Sequence, residues 1–221
     1  MIKQIKARPF DFTFDPEKTA LMVIDMQRDF VQKGGFGEAL GNDVSPMQKA
    51  IEPISKVLEC CRSQHMLIIH TREGHRPDLT DCPKAKLTRG GKTFIGTDGP
   101  MGRILVRGEY GHDIIPELYP KEGEVVIDKP GKDAFFATDL YQILLNRGIK
   151  SLIICGVTTE VCVQTTSRAA NDRGFELVIP EDCCASYFPE FHEAALNMIA
   201  AQGAIVGWVS DSKSVISALE E

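Results

Sequence analysis

An α/β domain built on a mainly parallel sheet of six strands is the fold class the sequence predicts, and three features predict it. Six short apolar runs are near-continuous rather than alternating, as strands covered on both faces require. Stretches with helical periodicity separate them, and strand–helix–strand repeated along a chain gives parallel pairing. Glycines stand just past several of those stretches, where a helix stops.

Taken in order, the first strand covers residues 19–25 and is followed by a helix over 45–64, whose start is marked by Ser45 and Pro46. Strands at 66–71 and 124–128 come next, then a helix over 137–147 that ends at Gly148. The fourth strand, 151–157, leads into a helix over 159–173 with Gly174 beyond it. A fifth strand at 176–180, a helix over 190–202 stopped by Gly203, a sixth strand at 204–209 and a closing helix over 211–219 complete the pattern. The long connection over 72–122 interrupts it: glycines are scattered through a mixture of charged and apolar residues, including Phe94, Ile95, Ile104, Leu105 and Val106. Connections of that length are functional or disordered, and this composition predicts an ordered lid or a subunit contact.

With 221 residues, 43% of them hydrophobic, the chain suits a single domain over 1–221 with one sizeable core. A formal net charge of −6 with no block of lysine and arginine argues against a nucleic-acid partner. No apolar stretch is long enough to cross a bilayer, and the first residues do not read as a secretion signal, so no membrane partner and a cytoplasmic location are expected. Seven cysteines without paired zinc-ribbon spacings point to free thiols, neither a disulfide framework nor a structural metal. Cys60-Cys61 and Cys183-Cys184 are adjacent pairs that read as packing residues, and Cys155 lies inside an apolar strand.

Ligands of open parallel sheets bind at the carboxyl ends of the strands, near the point where strand order reverses. Asp25 closes the first strand, Lys129 follows the third, and Cys162 lies in the first turn after the fourth. Taken singly, each has a commoner ordinary role: a loop cap, a solvated lysine, a small buried apolar side chain. Together they form a complete set, in which a carboxylate takes a thiol proton, an ammonium steadies the charges and a thiolate attacks a carbonyl. A helix amino terminus lowers a thiol's pKa, so Cys162 is expected to carry substantial thiolate near neutral pH.

Four separated motifs resemble the isochorismatase-like cysteine hydrolases: Val23-Ile24-Asp25-Met26-Gln27, Ile127-Asp128-Lys129-Pro130, Phe135-Phe136-Ala137-Thr138-Asp139-Leu140 and Gly156-Val157-Thr158-Thr159-Glu160-Val161-Cys162. That resemblance implies a three-layer α/β/α, Rossmann-like fold, an Asp25–Lys129–Cys162 triad and a homo-oligomer, with a tetramer favoured. It also implies a cis peptide before Thr158 and an oxyanion hole made by the Thr158 and Cys162 backbone N–H groups.

Within the family the chain is most similar to biuret hydrolases, through Met26-Gln27-Arg28-Asp29-Phe30, His70-Thr71-Arg72-Glu73-Gly74-His75-Arg76-Pro77-Asp78, Asp128-Lys129-Pro130-Gly131-Lys132 and Glu181-Asp182-Cys183-Cys184. By that similarity Phe30 packs on a planar substrate, Lys132 and Gln202 hydrogen-bond it, and Val157 lines the same pocket. Residues 83–99 depart from the biuret pattern, and Gly207-Trp208-Val209-Ser210 resembles ureidoacrylate amidohydrolases, so ureidoacrylate, triuret and other carbamoyl compounds remain alternatives. From another class, the alternative is a redox or binding module with a reversibly oxidised Cys162. His70, His75 and Asp78 could serve as metal ligands. Arg72 and Arg76 lie among them, however, and the biuret-type enzymes resembled here work without a metal, so no metal and no cofactor are expected. Substrate or lid contacts are an alternative role for the two arginines.

Overall fold

The structure, a computed structural model, describes residues 1–88 and 94–221. Six strands form the ordered sheet: β1 (Thr19–Ile24), β2 (Leu67–Glu73), β3 (Val125–Lys129), β4 (Ser151–Val157), β5 (Glu176–Pro180) and β6 (Trp208–Ser210). They lie in the order β6-β5-β4-β1-β2-β3, and every neighbouring pair is parallel. A seventh strand of two residues, Cys184–Ala185, pairs parallel with the end of β4.

Five helices flank this sheet: α1 (Ile51–Ser63), α2 (Leu140–Asn146), α3 (Gln164–Asp172), α4 (Pro189–Ala204) and α5 (Ser212–Glu220). Alternate residues of the central strands feed two separate cores. Leu21, Val23, Ile153 and Cys155 join Ile54, Val57 and Leu58 of α1 and Val215 of α5. Ala20, Met22, Ile24, Leu152 and Ile154 join Leu140 and Leu144 of α2, Ala170 of α3 and Leu196 and Ile199 of α4. This is the three-layer arrangement, and it explains the continuous apolar runs: both faces of β1 and β4 are buried along their whole length.

Several boundaries differ from the sequence reading. The helix expected over 45–64 is a short turn, Ser45–Gln48, followed by α1. Pro53 has no N–H to donate back along the chain, so the helix restarts with that proline in its first turn. The sixth strand begins at Trp208, because α4 runs on to Ala204 through a kink in which Gln202 and Gly203 take φ values of 52° and 76°. β2 extends two residues past the expected end, with Arg72 opposite Asp128 and Glu73 opposite Lys129 on β3. Arg72 binds both carboxylate oxygens of Asp128, at 2.7 and 3.1 Å, which holds this polar end of the strand in register.

The connection is correspondingly shorter, and it is anchored. Ile104, Leu105, Ile114, Ile115 and Leu118 enter the core, Asp98–Gly99 pairs with Gly102–Arg103, and Asp29 accepts the Leu105 N–H at 3.0 Å. Residues 89–93 of the connection lie outside the described residues. All seven cysteines are free, and six of them are buried in the two cores with the seventh, Cys60, packed against one. Among the described residues no helix is long and apolar enough to cross a membrane.

Candidate active site

Strand order reverses between β1 and β4: the chain proceeds from β1 to β2 and β3 on one side, then crosses to place β4 on the other. Side chains just beyond the carboxyl ends of β1 and β4 therefore lie together at the kind of place where open parallel sheets bind their ligands. Gly156, at φ 117°, allows the two strands to approach there, since a Cβ at that position would collide with the Ile24 backbone.

Asp25 follows β1 and is fully buried. Its N–H donates to the Thr71 carbonyl at 3.1 Å, Thr71 Oγ1 donates to its Oδ1 at 2.6 Å, and Lys129 Nζ lies 2.8 Å from its Oδ2. Lys129, the last residue of β3, is also fully buried and donates to the Gly131 carbonyl at 2.9 Å. Cys162 lies in a π-helical turn, Thr159–Val163, that precedes α3. Its thiol, the Asp25 carboxylate and the Glu73 carboxylate each place an atom within 4.8 Å of the other two. The structure thus brings together the three reactive residues picked from separate strands.

It also adds a fourth. Glu73 ends β2, is fully buried, accepts from Cys162 Sγ at 3.4 Å and stands 3.8 Å from Lys129 Nζ. Its other oxygen is paired with the Lys132 ammonium, which places Lys132 at the site. Sequence reasoning missed Glu73 because its strand was ended at residue 71. The signal was present: Thr71 and Glu73 share one face of an extended strand, at the same sheet edge as Asp25.

The expectation of a resting thiolate is overturned. Burial pushes the Cys162 thiol well above its ordinary pKa; Lys129 pulls down, Asp25 and Glu73 push up further, and Lys132 opposes them. Two carboxylates and full desolvation outweigh the turn's amino-terminal field, so the resting group is a neutral thiol. Burial alone would raise Glu73, yet Lys129 and Lys132 hold it below its usual range. Burial likewise works against Lys129, but Asp25, Cys162 and Glu73 carry it above the ordinary lysine value.

The peptide bond between Val157 and Thr158 is cis, as the resemblance implies. Val157 is fully buried and Thr158 nearly so, both at the start of the turn that carries Cys162. Phe30 is buried on a short helix, Arg28–Val31, edge-on to Phe36 with ring centres 5.9 Å apart, and its carbonyl accepts from Tyr187 at 2.8 Å. Gln202 is not brought to the thiol. It sits exposed in the α4 kink beside Asn171 and Asp172, at the far end of the helix that starts next to Cys162.

The remaining candidates have other partners. His70 Nε2 lies 2.9 Å from Glu124, His75 Nδ1 lies 3.3 Å from Asp81, Arg72 binds Asp128 and Asp113, and exposed Arg76 pairs with Asp78. His70, His75 and Asp78 are not gathered into one site. Among the described residues the group with metal-compatible spacing is Asp25, Glu73 and Cys162, where the ammonium of Lys129 already supplies a cation's charge.

The isochorismatase domain family matches residues 19–212, a span that includes every residue of the buried cluster. The chain belongs to this family. A cysteine hydrolase from Pseudomonas syringae pv. phaseolicola 1448A is 26% identical, with 94% of each chain covered and a TM-score of 0.80. A pyrazinamidase of Pyrococcus horikoshii, solved in complex with zinc, is 29% identical over 88% of this chain and 99% of that one, at a TM-score of 0.68. N-carbamoylsarcosine amidase from Thermoplasma acidophilum, 23% identical over 88% of this chain and 96% of that one, shares the fold at a TM-score of 0.68. The chain accordingly carries a domain of the isochorismatase-like cysteine hydrolase family.

Proposed function

We propose that this isochorismatase-like hydrolase is an amidohydrolase acting on a small ureido compound, with biuret as the substrate and allophanate and ammonia as the products. The observation that carries the proposal is the meeting of Cys162 with the Asp25–Lys129 ion pair at the switch point of the sheet. A buried thiol beside a buried carboxylate and ammonium supplies a nucleophile, its base and a counter-charge in one place.

In the proposed reaction Asp25 takes the thiol proton as sulfur attacks the carbonyl carbon. The tetrahedral oxyanion is held by the Thr158 and Cys162 backbone N–H groups. Its collapse breaks the C–N bond, Asp25 returns the proton to the leaving nitrogen, and an S-acyl enzyme remains. Asp25 then activates water, and hydrolysis of the thioester frees the acid and restores the thiol. A neutral resting thiol suits this sequence, because the proton needed by the leaving amine is already in the site. Lys129 keeps the buried Asp25 compensated before attack. Phe30, Val157 and Lys132 are proposed to bound the substrate.

Ammonia release from biuret, triuret, ureidoacrylate, nicotinamide and N-carbamoyl amino acids tests the assignment. Fastest turnover of biuret is expected; equal or faster turnover of ureidoacrylate would displace biuret while leaving the amidohydrolase intact. Silence across the whole panel would remove the activity itself.

A further inference from the structure

Glu73 is left without a task by the reaction above. Its two oxygens are divided: Oε1 receives the Lys132 ammonium, while Oε2 accepts the Cys162 thiol at 3.4 Å and stands 3.8 Å from Lys129 Nζ. At rest the nucleophile therefore points its proton at Glu73. The base assigned to it is Asp25, whose Oδ1 is engaged by Thr71 and whose Oδ2 faces Lys129. A thiol directed at Glu73 must be released before it can give its proton to Asp25, so another donor has to take its place.

We infer that the substrate is that donor: Glu73 is a positioning residue that holds the thiol until a substrate N–H displaces it, which restricts the site to carbonyl compounds bearing N–H beside the scissile carbon. The inference rests on the amidohydrolase reading and narrows its substrate class to ureides with a free N–H. An ionised carboxylate only accepts hydrogen bonds, and ureido nitrogens present donors on both sides of the carbonyl. A bond of that kind to a charged acceptor is among the stronger polar contacts. An ester or carboxylate oxygen in the same place would set lone pairs against a buried anion and be rejected. No charge enters or leaves: the substrate proton stays on nitrogen, and the thiol proton passes to Asp25 as sulfur attacks. Lys132 stays on Glu73 throughout as its counter-ion.

Glu73→Gln, which keeps the shape and removes the charge, is the test. Two readouts are taken on the purified protein: the pH profile of iodoacetamide alkylation without substrate, and KM and kcat for biuret. The alkylation profile should move to lower pH, because one of the anions that disfavour the thiolate is gone while Lys129 and Lys132 remain. KM should rise about tenfold to a hundredfold, the worth of a hydrogen bond to a charged group, with a smaller fall in kcat. An alkylation profile in the wild-type position, or a KM within about threefold of wild type, overturns the proposal. Should the glutamine variant not fold, Glu73→Asp keeps the charge one methylene further back; its alkylation profile should stay in place while KM rises, and a wild-type KM would overturn the proposal. If the wild-type enzyme releases no ammonia from any ureide, the activity is wrong, whereas the alkylation profile needs no turnover and still tests Glu73.

Discussion

The β2–β3 pair carries a charged cluster at each end, half-buried around Glu124 and buried around Asp25, Glu73 and Lys129, and the two differ in what they leave unspent. Around Glu124, just before β3, Arg62 donates at 2.6 and 2.8 Å, the Lys121 N–H donates at 2.9 Å and His70 Nε2 lies at 2.9 Å. Every strong charge there is matched within the cluster. At the other end, Asp25, Glu73, Lys129 and Lys132 also balance, but a thiol with a high proton affinity is inserted among them. A closed ion cluster fixes two strands; the same charges around a nucleophile can also move a proton. The difference lies in one residue type and its position at the switch point, and burial alone would not reveal it.

The most severe way to break the comparison is to remove the thiol. Cys162→Ser is expected to lower kcat for ammonia release by about a thousandfold or more, with binding largely retained. Steady-state kinetics alongside calorimetric binding of biuret checks both parts. Near-native turnover by this variant would make the two clusters equivalent.

Next in size is Lys129→Met, which strands Asp25 as a buried anion. Loss of about 3–5 kcal/mol of stability is expected, with recovery of much of it in the Asp25→Asn/Lys129→Met double variant. Urea denaturation of the three proteins measures it. A stability change no larger than that of an exposed pair would show that the ion pair is not desolvated.

Smaller still is Glu124→Gln at the closed end, expected to cost about 1–3 kcal/mol while leaving kcat near wild type. Burial would raise this carboxyl, but Arg62, the Lys121 N–H and His70 bring it down to about 2. The unfolded chain therefore binds this proton more tightly than the folded one, so the stabilisation is complete above the ordinary glutamate range and is lost as pH falls towards 2. The stability gap between wild type and Glu124→Gln should narrow over that interval, as denaturation at stepped pH would record. A gap independent of pH would place its origin in packing.

The strands that build this frame were readable because β1 and β4 are buried on both faces and so carry unbroken apolar runs. Asp25, Lys129 and Cys162 were readable because each follows such a run. Glu73 was hidden by the end of the apolar signal at Thr71: the last two residues of β2 are charged, and they are held in the sheet by Arg72 on Asp128, a contact between strands that no local pattern encodes. The resting protonation of Cys162 was hidden as well, since it depends first on burial and then on Lys129, Asp25 and Glu73, which only the fold brings to the thiol. Gln202 was placed by similarity alone, and the α4 kink turns it to the opposite edge.

Intact-mass analysis of acid-quenched enzyme after mixing with biuret tests the central claim most directly. The account predicts a transient adduct on Cys162 equal to biuret less ammonia, localised by peptide mapping and missing from Cys162→Ser. Ammonia release by the wild-type enzyme with no adduct at any quench time, together with turnover by Cys162→Ser, would contradict it.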